Sequence, residues 1–417
     1  GGNQRGVFWA VDADGAGRKA DAASSAASSA VGERCASGRL AVATVGATGS
    51  SLQAELMESA KPAVVVTGIA GNLGSRLLPL LGDFSVIGVD VSPPQTDLPL
   101  QFERMDLGDE SCTRVLYELL RDTRPISVVH LAFVIDPVRS GVLEPERMWQ
   151  INVAGTARVM EAITENNRTT DSGIKQFIFP SSVAVYGPNL AAPATEESAR
   201  AAHTLPYAIH KKQCDEVVQQ RSSALRGCSV YILRPHIFAG ASVENYLLGA
   251  FRGTPNGKSA RAEKMRSAGK RLPCMLPHGQ EYLDHKIQFV HVDDMARLLA
   301  HILHRDPEQQ RLTVLNVAGR GEPLTFGRCI EMAQAKLIRV PGKWAMGMVL
   351  KFLWKRQISA IPPEALPYMT GEYIMNTDRL RAFLGNEYES VIRYTIADAF
   401  ADSFKIPAPA PQTAIST

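Results

Sequence analysis

Between residues 63 and 233, short apolar runs alternate with longer amphipathic stretches. Ala63–Thr67, Ser85–Asp90, Ser127–Leu131, Gln176–Pro180 and Ser229–Leu233 are brief and apolar along most of their length, as strands covered on both faces are. Between them, Asn72–Leu81, Ser111–Arg121, Met148–Asn166 and Tyr207–Leu225 place apolar residues at helical spacing. Repeated strand–helix–strand units predict an α/β fold, a doubly wound parallel sheet with helices on both faces. The rhythm breaks from about residue 241 to 286, a stretch rich in Gly, Lys and Arg, and a further strand and helix are predicted over Gln288–Ile302. We therefore expect a nucleotide-binding domain over 61–240 and a smaller discontinuous lobe over 241–404. The stretch from about 287 to 304 is expected to return to the first domain.

The two ends read differently. Residues 1–60 are rich in Ala, Ser and Gly without a clear period and read as a disordered extension. Asp12, Asp14, Asp21 and Glu33 argue against a transit peptide, which is poor in acids. The first methionine, Met57, falls just ahead of the first strand, so the residues before it read as an upstream addition. Residues 405–417, carrying Pro and Ala, read as a loose tail.

Composition narrows the function classes. A formal net charge of +3 over 417 residues gives no electrostatic case for a nucleic-acid partner. No run reaches the roughly 18 apolar residues of a membrane-spanning helix. Cys35, Cys112, Cys214, Cys228, Cys274 and Cys329 form no C-x-x-C pair. They read as ordinary thiols of a cytoplasmic protein without a metal site.

The first chemical signal is Thr67-Gly68-Ile69-Ala70-Gly71-Asn72-Leu73-Gly74, directly between a strand and a helix. Glycine is needed there for a tight turn, for close approach of backbone to a pyrophosphate, and for close packing of helix on sheet. The helix start offers N–H groups to phosphate. Asp90 ends the next strand, where a carboxylate can bind the adenosine ribose hydroxyls and would repel a 2′-phosphate. Val91, Ser92, Pro93 and Pro94 follow it without a basic residue, so NAD is favoured over NADP.

Further motifs follow in a fixed order. Met105-Asp106-Leu107 is followed by Val129-His130-Leu131-Ala132 and then Asn152-Val153-Ala154-Gly155-Thr156. Pro180-Ser181-Ser182, Tyr207-Ala208-Ile209-His210-Lys211 and Leu233-Arg234-Pro235 complete the series. With the glycine loop, this set resembles the extended short-chain dehydrogenase/reductases in their NAD-dependent epimerase/dehydratase branch, over about Lys61 to Leu384. The resemblance implies a Rossmann domain with a substrate lobe, a small-molecule substrate that includes nucleotide sugars as a class, and a homodimer formed through the helices Met148–Asn166 and Tyr207–Leu225. It implies cofactor contacts at Gly68, Gly71, Asn72, Leu73, Gly74, Asp90, Asp106, Leu107, Leu131, Ala132, Asn152, Tyr207, Lys211 and Pro235. It implies catalysis by Ser182, Tyr207 and Lys211.

The residue types suit that chemistry. Tyr207 and Lys211 are four apart, so they share a helix face. A nearby ammonium favours the phenolate, and Tyr207 can then take a proton from an alcohol as hydride leaves its carbon. Ser182 is the expected partner of the reacting oxygen, and Ser181, on the opposite side of a continuing strand, ranks second. His130 reads as a packed strand residue, and His291-Val292-Asp293-Asp294 as an architectural helix start. Where nucleotide-sugar enzymes of this branch carry an asparagine after the Arg-Pro pair, Ile237 stands instead. The basic residues Arg252, Lys258, Arg261, Lys264, Arg266, Lys270 and Arg271 read as a solvated loop. The segment Lys343–Lys355, with Trp344, Met346, Met348, Phe352 and Trp354, suits a helix over the substrate pocket or one on a membrane surface, the first being preferred. Three functions are carried forward: a sugar or nucleotide-sugar epimerase acting through a keto intermediate, a dehydrogenase or reductase of a small or steroid-like alcohol, and a non-catalytic NAD-binding scaffold. The intact Ser182, Tyr207 and Lys211 argue against the last.

Overall fold

Seven parallel strands form the central sheet, in a computed structural model that describes residues 61–171, 173–307 and 311–405. The extension over 1–60, with Cys35 and Met57, and the tail from 406 lie outside the described residues. The strands are β1 (Ala63–Thr67), β2 (Ser85–Asp90), β3 (Gln101–Arg104), β4 (Ser127–His130), β5 (Gln176–Pro180), β6 (Ser229–Pro235) and β7 (Leu312–Val317), in the spatial order 7-6-5-4-1-2-3. Every neighbouring pair is parallel. The order reverses between β1 and β4, the point at which doubly wound sheets place a ligand crevice, at the carboxyl ends of the strands.

Alternation along each strand divides the apolar residues between two cores. Val64, Val66, Val129, Ile178 and Leu233 face one core, closed by helices α1 (Asn72–Leu77) and α5 (Val292–His304). Val65, Val128, Phe177, Phe179 and Ile232 face the other, closed by α2 (Cys112–Thr123), α3 (Gly155–Thr169) and α4 (Pro206–Arg221). Five described cysteines are buried and free: Cys112, Cys214 and Cys228 in the second of these cores, Cys274 and Cys329 in a separate cluster.

The structure departs from the sequence pattern in several places. The predicted helix over 72–81 shortens to α1 and a 3-10 turn over Leu78–Leu80, because Pro79 lacks the N–H that would continue it. The predicted helix over 148–166 is three pieces: Pro145–Trp149, a π turn over Gln150–Ala154, and α3. The strand predicted near 288 does not enter the main sheet. Phe289–His291 instead pairs with Ile237–Ala239, beyond the point where β6 ends at Pro235. The last place in the sheet goes to β7, while α5 packs against α1. The irregular segment after 241 contains the helices Tyr246–Arg252 and Ala260–Ser267 and the strand Cys274–Pro277. Asp294 at the start of α5 accepts from the backbone N–H groups of Arg393 and Tyr394, at 3.0 Å each, and pins the C-terminal segment to the body.

Candidate active site

The glycine loop closes the carboxyl end of β1. Gly68 has φ of +73°, and a Cβ there would lie 2.5 Å from the Ala132 amide nitrogen. Only glycine lets the turn pass so close to the end of β4. A Cβ on Gly74 would lie 2.5 Å from the Ile69 carbonyl oxygen, so the third glycine sets how tightly α1 folds back on its own turn. Gly71 is the N-cap of α1 and brings no capping side chain. Leu73 is partly buried between two apolar clusters, whereas the exposed Asn72 donates to Ser242.

The acids line the next strand ends. Asp90 Oδ2 accepts from the Ala70 amide at 3.0 Å and Oδ1 from Val91 at 2.7 Å, which fixes the carboxylate against the loop. Met105 N donates to the Asp90 carbonyl, so Asp106 emerges beside it. Asp106 is held by Gly108 N and paired with Arg147. The Leu107 side chain is buried in the core, and its carbonyl accepts from Arg158. After β4, Leu131 and Ala132 are anchored to Thr67 by their amides. Buried Asn152 accepts from Val134 N at 2.7 Å and donates to Val134 O at 3.0 Å, fixing the loop that leaves the crevice. Pro235 ends β6, paired with Val317 of β7.

The candidate catalytic residues Ser182, Tyr207 and Lys211 come from the end of β5 and from α4. Ser182 follows β5 and caps the turn Val183–Tyr186 by accepting from Ala184 N. Tyr207, partly exposed as a residue, presents its hydroxyl beside Ser182. Burial raises the Tyr207 hydroxyl above its ordinary value, and the neighbouring Ser182 only partly offsets that rise. This corrects the expectation that Lys211 lowers it. The Lys211 ammonium donates to the Pro180 carbonyl at 2.7 Å and lies 3.7 Å from the centre of the Phe133 ring. Burial brings Lys211 itself down to about 8. Ser181 points away from the pair and donates to Asp215 at 2.7 Å. His130 is held by Thr67 and Thr156, stacks on Phe177 and Phe179, and is lowered to about 3 by burial and then by the Lys211 charge.

The sequence profile of the NAD dependent epimerase/dehydratase family matches residues 64–318, more than half of the chain. The chain belongs to that family. Among curated relatives, it is similar to UDP-glucose 4-epimerase 4 of Oryza sativa subsp. japonica, 28% identical over 250 residues that cover 56% of this chain and 65% of the relative. It is also similar to the UDP-glucose 4-epimerase of Drosophila melanogaster, 26% identical over 260 residues that cover 57% of this chain and 71% of that protein. The match to the Erwinia amylovora UDP-glucose 4-epimerase spans 49% of its length. Among solved structures, the Thermus thermophilus UDP-glucose 4-epimerase complexed with NAD shares the fold with a TM-score of 0.56 at 18% identity, covering 82% of this chain and 97% of the other.

In this epimerase/dehydratase chain, several neighbours of the candidate catalytic residues escaped sequence reasoning. Phe133 lies under Lys211 and meets Tyr207 edge-to-face at 5.9 Å. Asp215 sits four residues after Lys211, a spacing visible in the sequence, and forms a fully buried two-bond ion pair with Arg234 at 2.8 and 2.9 Å. Arg234 also donates to Tyr186, whose hydroxyl donates to Asn316 of β7. Residues from the C-terminal third of the chain pack over Tyr207. Tyr207 and Ile237 pack against a cluster that contains Met346, Leu350, Ile361, Tyr368, Met369 and Tyr373. Met346, Leu350, Ile361 and Met369 also line an apolar cavity running to Leu247 and Phe326. No spacing rule connects those residues to Tyr207, so only the folded chain reveals them.

Proposed function

We propose that the crevice between β1 and β4 holds NAD and that the site interconverts a secondary alcohol and a ketone. The observation that carries the reading is the convergence of Tyr207 and buried Lys211 on Phe133, beside Ser182 at the carboxyl end of β5. The residues fit the cofactor. The start of α1 has no side-chain cap, the Gly68 turn leaves no room for a side chain, and Asp90 presents a fixed carboxylate suited to ribose hydroxyls rather than a 2′-phosphate. NAD supplies the hydride acceptor and donor. Tyr207 takes the proton of the substrate hydroxyl during oxidation and returns it during reduction, while Ser182 hydrogen-bonds the reacting oxygen. Burial opposes the Tyr207 phenolate, and Ser182 beside it offsets part of that penalty.

Oxidation followed by return of the hydride to the opposite face inverts a carbinol carbon, the epimerase reading that the named relatives support. A second reading, a dehydrogenase or reductase of an apolar alcohol, is favoured by Ile237 and the apolar wall around Tyr207. Purified protein with NAD, challenged with UDP-sugars and with apolar alcohols, separates them. Isomerised sugar without net reduced nicotinamide supports the first, and steady growth of reduced nicotinamide with an apolar alcohol supports the second. Protein that does not bind NAD would contradict both.

A further inference from the structure

Helix α6 (Lys343–Lys355) has apolar residues on two opposite faces. Ala345, Met346 and Leu350 are buried, and Met346, Leu350 and Leu353 line the apolar cavity. On the other face Trp344, Met348 and Phe352 are 65%, 57% and 53% exposed. Spaced four apart, they form one continuous stripe. Lys343, Lys351 and Lys355 are exposed on the same helix, as is Arg356 at its C-cap, and Lys351 and Lys355 fall within the stripe by helical spacing. No Asp or Glu occurs between Glu331 and Glu364. The backbone amides of Gly257 and Ser259 donate to Ile358 and Gln357, which brings the exposed Lys258 and Arg261 to the C-terminal end of this helix.

We propose that this face docks on an anionic phospholipid surface. Large apolar side chains seat among acyl chains at the headgroup boundary, and tryptophan favours that boundary. Lysines within such a stripe extend their ammonium groups to lipid phosphates while their stems stay in the apolar layer. A second copy of the chain is the poorer occupant, because a twofold contact would set this cationic face against itself. The inference stands on the helix surface and does not depend on the chemistry at Tyr207.

The test is co-sedimentation of the full chain with vesicles of phosphatidylcholine alone or mixed with phosphatidylserine. The protein is expected to pellet with the anionic vesicles, less so as salt rises. Binding should fall about tenfold or more without phosphatidylserine, in Lys351→Glu/Lys355→Glu, and in Trp344→Ser/Met348→Ser/Phe352→Ser. Unchanged thermal unfolding midpoints in both variants would show that folding is not the cause. Absence of pelleting, or equal pelleting of wild type and both variants, would overturn the proposal. Self-association in sedimentation velocity that the triple variant abolishes, without vesicle binding, would assign the face to a second copy and overturn it as well.

Discussion

The two sides of Tyr207 are built differently. Toward the sheet, hydrogen bonds fix each group: Ser182 caps a turn, Lys211 is held by a carbonyl, Asn152 clasps a backbone segment, and Asp215 grips Arg234. Toward the lobe, the wall is made of Met, Leu, Ile and Tyr side chains from residues 346–373. Hydrogen bonds fix orientation, whereas apolar packing fixes shape and volume. We propose that the sheet side sets the reaction and the lobe side selects what reacts.

The largest expected effect lies on the sheet side. Tyr207→Phe removes the proton carrier and keeps the ring, so turnover should fall by roughly 10²–10⁴-fold with the unfolding midpoint nearly unchanged. Activity close to wild type would erase the division, since chemistry would then reside elsewhere. Next comes the buried pair beneath the site. Asp215→Ala strands the Arg234 guanidinium without its carboxylate and should cost about 3–5 kcal/mol in urea unfolding. A loss below about 1 kcal/mol would mean that the pair does not organise the sheet side.

Acid should strain both sides together. Burial lowers His130, on the sheet side, to about 3, and His236, stacked on Tyr373 on the lobe side, to about 4, from an ordinary 6.5. Between those values the unfolded chain binds protons that the folded protein refuses, so stability is full above about 6.5 and falls as pH drops. The loss should reach on the order of 2 kcal/mol per histidine by about pH 5. Chemical denaturation across that range checks the slope, and a flat profile would contradict the burial of both rings. The smallest effect tests selection: Ile237→Asn should shift kcat/KM toward UDP-sugars and away from apolar alcohols by about tenfold. An unchanged ratio would remove Ile237 from the lobe side's selecting wall.

The sheet side was largely legible in the sequence, because its residues answer to local rules. Buried parallel strands must be continuously apolar, so β1, β2 and β5 stand at their predicted bounds. The glycine turn and the Tyr207–Lys211 spacing are likewise local. What escaped was long-range or weakly patterned. β3 carries one apolar residue, Phe102, among Gln101, Glu103 and Arg104, and reads as polar loop. β7 is an edge strand whose place depends on pairing with β6, about eighty residues earlier in the chain. The Phe133–Lys211 contact and the wall from Met346 to Tyr373 join distant segments, and no periodicity encodes which ones meet. The expected Lys211 effect on Tyr207 failed because spacing fixes a shared helix face but not where a flexible ammonium points.

The most direct test of this division of labour follows reduced-nicotinamide absorbance and sugar isomerisation in wild type and Tyr207→Phe, both supplied with NAD, UDP-sugars and apolar alcohols. The expected result is NAD bound by both proteins, with turnover confined to the one that retains the tyrosine hydroxyl. Equal turnover in the two, or no NAD bound by the wild type, would contradict it.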